Sequence, residues 1–536
     1  MDLDKPVNRK DFLRIVGLGT FTLLSSVATG ISLSSCTQVG ESDLKLTQTP
    51  TAKSEREPDV EIDLKATPGE VQLFPGKATL AWVYRGEVLK GDPASLQPLS
   101  NTYLGPILRF KSGQKIRIHF NNELPEPSII HWHGLHVPHE MDGHPQDVIN
   151  SGETFTYEFQ IANRAGTYWF HPHPHGRTGP QVYHGLAGLM LISDDEESAL
   201  GLPSREFDIP LIIQDRTFTA DNQFSYLPRG RMDRMAGFLG NQILVNGQPD
   251  FELPVEPRPY RLRLLNASNS RIYKLAWEDG TPLTVIASDG GLLELPVQRD
   301  YVTLGPAERV ELWVDFKRWA EGSKVRLQSL PFSGIGVSGM MVSGETAPNG
   351  AMFDVLKVHV GPATSESEHL PDRLSKIKWY RPGEAVNQDQ PRKFTLEMQG
   401  MTPTINGRTF DMQAVAKEEV VKLNDVEMWE FANRSAGNNM RGRGMMGGMN
   451  MPHPMHVHGL QFQVIDRQVE PESVAGWESV RYGYTDEGWK DTVLVMPGER
   501  VKVLLKFEDF TGLYLYHCHN LEHEDLGMMR NYRVDP

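Results

Sequence analysis

PGERVKVLLKFEDFTGLYLYHCHN, residues 497–520, is the stretch that decides the fold. A Pro-Gly turn opens it, and two alternating runs follow, separated by a short break at Glu508-Asp509. Alternation with a period of two is typical of β-strands, and short strands between Gly/Pro turns are typical of β-sandwiches. The second run places a cysteine between two histidines, so the unit that builds the fold also carries candidate metal ligands.

The same turn-then-strand unit occurs three times along the chain. The other copies are SGETFTYEF at 151–159 and GPAERVELWV at 305–314. The first copy, like the third, runs on into an aromatic–histidine strand, YWFHPH at 168–173, whereas the middle copy runs into 315–319 without a histidine. Self-similarity at this scale indicates a repeated structural unit. We therefore predict an all-β fold of three tandem β-sandwich domains, with metal ligands in the first and third.

The domain limits follow from these repeats and from composition. We predict a first domain at 62–200, a second at 201–362 without metal ligands, a polar linker at 363–391 and a third domain at 392–536. A chain of 536 residues is long for one core, and its 49 glycines and 37 prolines favour turns and short strands. The formal charge of −15 and the lack of an evident basic face argue against nucleic-acid binding.

The first 36 residues have the pattern of an export signal. Arg9-Lys10 precedes an apolar run from Ile15 to Leu33. The segment resembles a twin-arginine signal with lysine at the second position, and Leu33-Ser-Ser-Cys36 resembles a bacterial lipobox. We predict an exported, periplasmic or extracytoplasmic protein with Cys36 as the candidate lipidated residue; ordinary cleavage without a lipid is the alternative. Residues 37–61, rich in Thr, Ser, Glu, Lys and Pro, are predicted to form a flexible tether.

Four pairs of histidines, each with one residue between, supply candidate metal ligands. They are His131 and His133, His171 and His173, His456 and His458, and His517 and His519. In a β-strand, residues i and i+2 share a face and lie roughly 6.6 Å apart along the strand. Each pair can therefore hold one copper ion or bridge two. Because two pairs come from each outer domain, we expect all eight imidazoles to cluster between those domains. His136, His139 and His144, in a Pro/Gly-rich loop, are expected to be exposed.

Cys518 indicates a second kind of site beside the cluster. Strand alternation directs Cys518 to one face and its two histidine neighbours to the other. His453 and His523 can add imidazoles to the thiolate, and Met528 can add an axial thioether. A His₂Cys set with a weak axial Met is typical of a blue-copper electron-transfer site. Consecutive residues would then join this site to the histidine cluster.

The four histidine segments together resemble a known family. HWHGLH (131–136), WFHPHPHG (169–176), HPMHVHG (453–459) and HCHNLEHEDLGM (517–528) resemble the four copper signatures of the multicopper oxidases. The similarity covers most of residues 70–535 and is greatest to the bacterial copper-efflux oxidase and laccase-like branch. It implies cupredoxin-like Greek-key domains and the reduction of O₂ to two waters by four one-electron oxidations of a reducing substrate.

The resemblance also implies a role for each ligand. One type 1 copper, one type 2 copper and a type 3 pair make four copper ions. The type 1 ligands would be His453, Cys518, His523 and Met528; the type 2 ligands His131 and His456; and the type 3 ligands His133, His171, His173, His458, His517 and His519. Cys518 would relay electrons, while Asp142 and Glu524 match acidic residues of the family that help to deliver protons.

A methionine-rich window leads into His453 and is a candidate docking surface for Cu(I). Its methionines are Met440, Met445, Met446, Met449 and Met451, set among Gly, Arg and Asn. Thioethers are soft ligands that select Cu(I). A tolerated surface loop or adaptable apolar packing is the alternative. Family members that oxidise copper carry a methionine-rich insert elsewhere, between the second and third domains.

These observations predict an oxidase of Cu(I), phenols or both, with a role in copper tolerance. The alternatives are a laccase or ferroxidase with another physiological reductant, and a non-catalytic periplasmic copper-binding resistance protein. O₂ and a small reducing substrate are the expected partners, with no nucleic acid. We expect a monomer, associated with a membrane only through a lipid at Cys36.

Overall fold

The computed structural model describes residues 57–337, 347–362, 368–400, 402–434 and 449–536, and strands predominate among them. The prediction of an all-β protein is confirmed. The strands lie in three consecutive segments of chain, and each segment builds a pair of large sheets around a core of its own.

The first segment contributes the sheets that carry the first four cluster histidines. Its strands are β1 (Val60–Val71), β2 (Thr79–Lys90), β3 (Leu96–Gln97), β4 (Ile107–Lys111), β5 (Lys115–Asn122), β6 (Ile130–His133), β7 (Thr154–Gln160), β8 (Gly166–Pro172) and β9 (Gly188–Ser193). A sheet in the order β2-β1-β5-β7 packs on one in the order β3-β4-β9-β8-β6. Strand β5 shows the expected alternation, with every second side chain buried.

The middle segment forms a larger sandwich. Its strands are β10 (Asp208–Arg216), β11 (Gln242–Val245), β12 (Gln248–Pro249), β13 (Glu252–Val255), β14 (Pro259–Asn266), β15 (Tyr273–Trp277), β16 (Leu283–Ser288), β17 (Gly291–Arg299), β18 (Val302–Leu304), β19 (Arg309–Asp315), β20 (Lys324–Ser329), β21 (Gly336–Val337) and β22 (Phe353–Val360). The sheet orders are β12-β11-β10-β14-β19-β16-β17 and β13-β22-β20-β15-β18. Strand β14 is buried along its whole length, because neighbouring segments cover its outer face.

The third segment carries the thiolate strand. Its strands are β23 (Arg392–Gln399), β24 (Thr402–Ile405), β25 (Val420–Lys422), β26 (Val426–Asn433), β27 (Met449–Asn450), β28 (His453–Val457), β29 (Phe462–Val469), β30 (Thr492–Val495), β31 (Glu499–Lys506), β32 (Gly512–Cys518) and β33 (Met529–Asp535). The sheet orders are β24-β23-β26-β31-β29 and β25-β33-β32-β28-β30, and β27 also pairs with β21 of the middle segment.

Helices in the described residues are short connections between strands. The α-helices are Thr178–Tyr183, Asp195–Ser198, Arg231–Ala236, Val474–Glu478 and Leu521–Asp525. The 3₁₀ turns are Pro93–Ser95, His139–Met141, Pro145–Asp147, Arg205–Phe207, Phe316–Arg318, Pro382–Glu384, Lys417–Glu419, Pro471–Ser473 and Arg481–Gly483. None of the helices in the described residues is long and apolar enough to cross a membrane.

The three copies of the turn-then-strand unit have the same backbone geometry. Gly152, Ala307 and Gly498 occupy equivalent positions and have φ angles of 84°, 72° and 74°. This left-handed conformation costs a glycine little but strains an alanine, so its retention at Ala307 shows that the turn itself is required. The sequence repeat is therefore a structural repeat.

Apolar side chains fill the contacts between segments as well as the three cores. Tyr103 and Trp169 of the first segment pack with Ile212 and Leu265 of the middle segment. Ile272 of the middle segment packs in a further cluster with residues of the third segment, among them Leu494. Burial of such surfaces is worth roughly 25 cal/mol per Å² and holds the segments in fixed positions.

Two observations describe the chain near the predicted domain limits. Strand β1 begins at Val60, two residues before the predicted start of the first domain, and Val60 is buried. In the predicted linker, Leu374 joins the core of the middle segment and the Ser375 hydroxyl donates to the carbonyl of Leu292. That part of the linker is therefore packed onto the middle segment. The predicted export signal, Cys36 and the tether up to residue 56 lie outside the described residues.

Candidate metal centre

Two antiparallel strand pairs carry the predicted ligands. In the first segment β6 pairs with β8, which sets His131 opposite His171. In the third segment β28 pairs with β32, which sets His456 opposite His517 and Met455 opposite Cys518. Directly opposed residues on an antiparallel pair point to the same face. Each strand pair therefore presents a small array of imidazoles.

The structure brings all eight predicted cluster imidazoles together between the first and third segments. Three ring-nitrogen pairs join the two segments: His131 to His456 at 3.3 Å, His173 to His517 at 3.3 Å, and His171 to His519 at 3.4 Å, each between Nε2 atoms. All of these rings are buried. Neither segment could form this cluster alone.

The ligand atoms of the cluster approach one another in overlapping groups of three. One group contains His131, His456 and His458, another contains His131, His133 and His171, and a third contains His173, His458 and His517. In the third group the Nε2 atoms of His458 and His517 are 3.0 Å apart. His519 joins the cluster through His171.

Hydrogen bonds at the outer ring nitrogens fix which nitrogen faces inward. His131 Nδ1 donates to the carbonyl oxygen of Asp142, and His456 Nδ1 donates to that of Asp491, both at 2.7 Å. A carbonyl can only accept, so each Nδ1 carries the proton and each Nε2 presents a lone pair. Two lone pairs 3.3 Å apart repel in a buried site unless a cation lies between them. The donor set therefore fits a bound metal ion.

Burial favours the neutral form of four of the cluster imidazoles. It lowers the pKa of His171, His173, His456 and His458 well below the usual range, and the positive charge on neighbouring imidazoles would lower it further. A neutral imidazole offers a lone pair, whereas an imidazolium does not. These pKa shifts favour binding of a metal ion over binding of protons.

Two buried carboxylates lie against the cluster. Asp142 Oδ2 accepts from His458 Nδ1 at 2.7 Å. Glu524 Oε2 lies 3.2 Å from His517 Nδ1, and its Oε1 lies 3.6 Å from His173 Nε2. Both predicted acidic residues are thus within reach of the histidines, and both are shielded from solvent.

The predicted thiolate site lies on the opposite face of β32. Cys518 Sγ is 3.4 Å from His453 Nδ1 and 3.9 Å from His523 Nδ1. His523 Nε2 donates to the carbonyl oxygen of Met235 at 3.1 Å, so its Nδ1 presents a lone pair towards the sulfur. Met528 is buried in the same core as Cys518, and its carbonyl oxygen accepts from the Cys518 amide at 3.0 Å.

The electrostatics of this second site also suit copper. Burial lowers the pKa of His523 to about 4 and raises the pKa of the Cys518 thiol. A neutral imidazole is therefore available, whereas the thiol loses its proton only when a metal ion compensates the buried charge. Two imidazoles and a thiolate, with Met528 in the same core, are the donor set typical of a blue-copper site.

Comparison with known proteins agrees with this donor set. A family model described as multicopper oxidase matches residues 85–197, and another of the same description matches residues 385–536. A multicopper oxidase of Staphylococcus aureus is 33% identical over 448 residues, spanning 84% of this chain and 86% of that protein. The chain belongs to the multicopper oxidase family. As such it is a copper-dependent oxidoreductase that uses O₂ and a reducing substrate.

Further relatives place this multicopper oxidase in the laccase-like branch. A laccase of Bacillus stratosphericus is 32% identical over 488 residues, covering 82% of this chain and 90% of that laccase. The solved structure of the 2F4 variant of the McoA multicopper oxidase from Aquifex aeolicus matches with a TM-score of 0.74 at 36% identity, covering 89% of this chain and 96% of that one. The predicted class of three cupredoxin-like Greek-key domains is confirmed.

The methionine-rich window of this multicopper oxidase is only partly described. Met440, Met445 and Met446 lie outside the described residues. The backbone of Met449 belongs to β27. Met451 is 5% exposed, and its carbonyl oxygen accepts from Asn433 Nδ2. Since Met451 is packed into the third segment, it is not offered at the surface as a docking ligand.

Sequence reasoning missed several residues that support the site. Asp491 and Thr492 contact His133 Nε2 at 3.0 and 3.1 Å. The Glu522 carboxylate accepts from Tyr226, Phe238, Asn269 and Ser270, which fixes the helix bearing His523 to the middle segment. The expectation of exposure was wrong for His144, whose Nε2 lies 2.9 Å from Asn531 Oδ1 in the interior. No local pattern marks any of these residues.

Asp147, near the cluster but not in contact with it, gives a prediction about pH. Burial, with the charges of Asp142 and Glu140, raises its pKa from 3.8 to about 6. The folded state therefore holds this proton more tightly, and stability falls as pH rises from about 4 to about 6. Because Asp147 is partly exposed, we discount the shift and expect Asp147→Asn to add about 1 kcal/mol to the free energy of unfolding at neutral pH. Urea unfolding of the metal-free variant should show no gain near pH 4, and an equal gain at both pH values would contradict this account.

Proposed function

We propose that this multicopper oxidase holds four copper ions and oxidises Cu(I) as its main substrate, in copper tolerance. One observation carries the proposal. The thiolate site and the eight-imidazole cluster occupy opposite faces of one strand end, joined through Cys518 and the histidines on either side of it. When bound, copper would take electrons singly from the reductant and deliver four of them to O₂, giving two waters.

We assign the residues according to these groups. The type 1 ligands are His453, Cys518, His523 and Met528. His131 and His456 hold the type 2 copper. His133, His171, His173, His458, His517 and His519 hold the type 3 pair. The meeting of all eight imidazoles at one place supports this assignment, as does the inward lone pair on His131 and His456.

Asp142 and Glu524 are the groups we assign to proton delivery. Reduction of O₂ to water consumes protons, and both carboxylates are buried beside cluster imidazoles. A positioned carboxylate can hold a proton at Oδ or Oε and release it as negative charge develops nearby. Asp142 also orients His458 and, through its carbonyl oxygen, His131.

The covering of the type 1 site favours Cu(I) over phenols. A phenol would approach the thiolate copper most directly through the Nε2 proton of His523. That proton is already donated to the carbonyl oxygen of Met235, and His523 is fully buried. Met440, Met445, Met446 and Met449, which precede His453 in the sequence, supply soft donors that suit Cu(I).

Deleting residues 440–449 tests the substrate. We expect the rate of O₂ uptake with Cu(I) to fall by about tenfold or more, because soft ligands that hold Cu(I) near the type 1 site are lost. The rate with a methoxyphenol at the same concentration should change by less than about twofold. Each tenfold change corresponds to about 1.4 kcal/mol in the barrier.

The comparison of wild-type rates decides between the remaining alternatives. Faster O₂ uptake with Cu(I) than with the phenol supports a copper oxidase, and the reverse supports a laccase with another physiological reductant. Equal losses for both substrates in the deletion variant would contradict a docking role for the window. Absence of uptake with Cu(I), Fe(II) and the phenol alike would support a copper-binding resistance protein.

The remaining features of the proposal concern location and assembly. We propose export through residues 1–36, with acylation of Cys36, a monomeric state and domain limits of 62–200, 201–362 and 392–536. The basic and apolar run before Cys36 supports export. Fractionation of cells that express the wild type and Cys36→Ser tests acylation, because only the wild type should remain with the membranes.

A further inference from the structure

We propose that Arg309, from the middle segment, positions the copper ligand His133 by holding Asp491. The inference rests on the assignment of His133 as a copper ligand. The sequence predicts no copper ligand in the middle segment. Through Arg309, this segment would nevertheless help to determine the geometry of the cluster. Arg309 is a positioning residue, since it acts through the carboxylate and not on copper or substrate.

Arg309 and Asp491 form a buried bidentate ion pair. Its Nη1 donates to Asp491 Oδ1 at 2.7 Å, and its Nη2 donates to Oδ2. Its other donors reach the carbonyl oxygens of Thr167, Ala307 and Asp289 at 2.9 to 3.0 Å. Both side chains are fully buried. A planar guanidinium with all its donors used holds a carboxylate in one orientation, which a lysine cannot do.

Asp491 in turn decides which nitrogen His133 presents to the cluster. A carboxylate only accepts, so the contact of 3.0 Å between Asp491 Oδ1 and His133 Nε2 places the ring proton on Nε2. His133 Nδ1 is then the atom with the lone pair. It is buried and has no hydrogen-bond partner in the described part of the chain. The ring also stacks on His456, with centroids 3.7 Å apart, so it cannot turn over freely.

Gly134 provides independent support for this arrangement. A Cβ at this position would lie 2.4 Å from Asp491 Oδ2 and 3.1 Å from Arg309 Nη2. The residue also has a φ of 86°, which favours glycine. The backbone next to His133 is thus shaped to admit the ion pair.

Arg309 links strands from all three segments at this point. It begins β19 of the middle segment, and its Nε donates to the carbonyl of Thr167 in β8, the strand that carries His171. Asp491 directly precedes β30 of the third segment, and its own carbonyl oxygen accepts from His456. A small change at Arg309 would therefore move ligands on both sides of the cluster.

The spacing of Asp491 would also allow it to be a metal ligand itself. With His133 and His456 it forms a group whose ligand atoms lie within 4.8 Å of one another. The guanidinium on both carboxylate oxygens opposes this, because it places a positive charge where a metal ion would bind. The two roles give different results in the variants below.

The test is Arg309→Lys in the copper-loaded full chain, with Arg263→Lys as the matched control. Arg263 lies on β14, next to β19. It forms a similar buried bidentate ion pair with Asp208, from Nε to Oδ1 at 2.6 Å and from Nη2 to Oδ2 at 3.0 Å. Its contacts in the described residues include no histidine. Both variants should lower the melting temperature. Only Arg309→Lys should alter the electron paramagnetic resonance of the type 2 copper and weaken the near-ultraviolet band of the type 3 pair, with the blue band retained.

We expect the affinity of the cluster for copper to fall by 10- to 100-fold in Arg309→Lys. Loss of the hydrogen-bonded groups that orient a metal-ligating histidine usually has an effect of this size. Asp491→Asn should give the same altered spectrum with all cluster copper still able to bind, and it serves as the test if Arg309→Lys does not fold.

Spectra and copper affinity of Arg309→Lys that match those of Arg263→Lys would overturn the proposal. Loss of a copper ion in Asp491→Asn alone would also overturn it, in favour of Asp491 as a ligand. A wild-type protein that lacks the cluster signals would instead contradict the proposed function.

Discussion

Replacing Cys518 with serine should remove the blue colour and the oxidase activity together. The hydroxyl of serine is a hard, weakly acidic donor that does not replace a thiolate on copper. The electron path through residues 517–519 would lose its starting atom, although the eight imidazoles would remain in place. We expect O₂ uptake with any reductant to fall by about 10³-fold or more, about 4 kcal/mol in the barrier.

The measurements are the visible spectrum, the copper content and O₂ uptake of the purified variant. Copper content should fall by one ion in the variant while the signals of the histidine cluster persist. Cys36→Ser is the matched control, because Cys36 is the other of the two cysteines and precedes the folded segments. Colour and turnover per molecule should be unchanged in that control. Turnover without the blue colour in Cys518→Ser would mean that electrons enter by another route.

Replacing Asp142 with asparagine should slow the reduction of O₂ without affecting the type 1 site. The carboxylate that accepts from His458 Nδ1 at 2.7 Å would become an amide that cannot hold or release a proton at this position. Loss of a positioned proton donor typically costs 10²–10⁴-fold, and we expect a decrease in kcat of about 10²-fold. Reduction of the blue copper by substrate without O₂ should keep its wild-type rate, whereas its return to the oxidised state after O₂ is added should slow.

Glu140→Gln is the matched control for Asp142→Asn. It removes a neighbouring carboxylate whose side chain is 56% exposed and lies 3.2 Å from His139 Nδ1. Its kcat should stay within about twofold of the wild type. A slower reduction of the blue copper in Asp142→Asn would show that the substitution acts on the protein as a whole and not on proton delivery.

Much of the fold was accessible from the sequence because its signals are local. The alternating runs in 151–159 and 497–520 predict strands that the structure contains as β7, β31 and β32. The three repeated turns predict three related units, and their shared left-handed φ angles show why the repeat persists. Period and turn chemistry are properties of a few neighbouring residues, so they can be read without knowledge of distant contacts.

Burial of particular side chains was less accessible. His144 lies in a loop rich in Pro and Gly, where exposure is usual. The loop packs against Asn531, however, and His144 is buried there. Met451 follows a polar, glycine-rich window, but its side chain is packed into the third segment. The burial of each residue depends on contacts with residues distant in the sequence. The local composition gives no information about those contacts.

The sequence by itself determined the chemistry of this protein: an all-β chain with four histidine pairs, a cysteine between two histidines and a methionine ten residues later. Strand geometry makes the separation of thiolate and imidazoles onto opposite faces unavoidable. Tertiary structure alone decided which imidazoles of the two segments face one another across the cluster. It also decided which ring nitrogen of His133 faces the cluster, because Arg309, Asp491 and His133 come from three segments and meet only when those segments pack together.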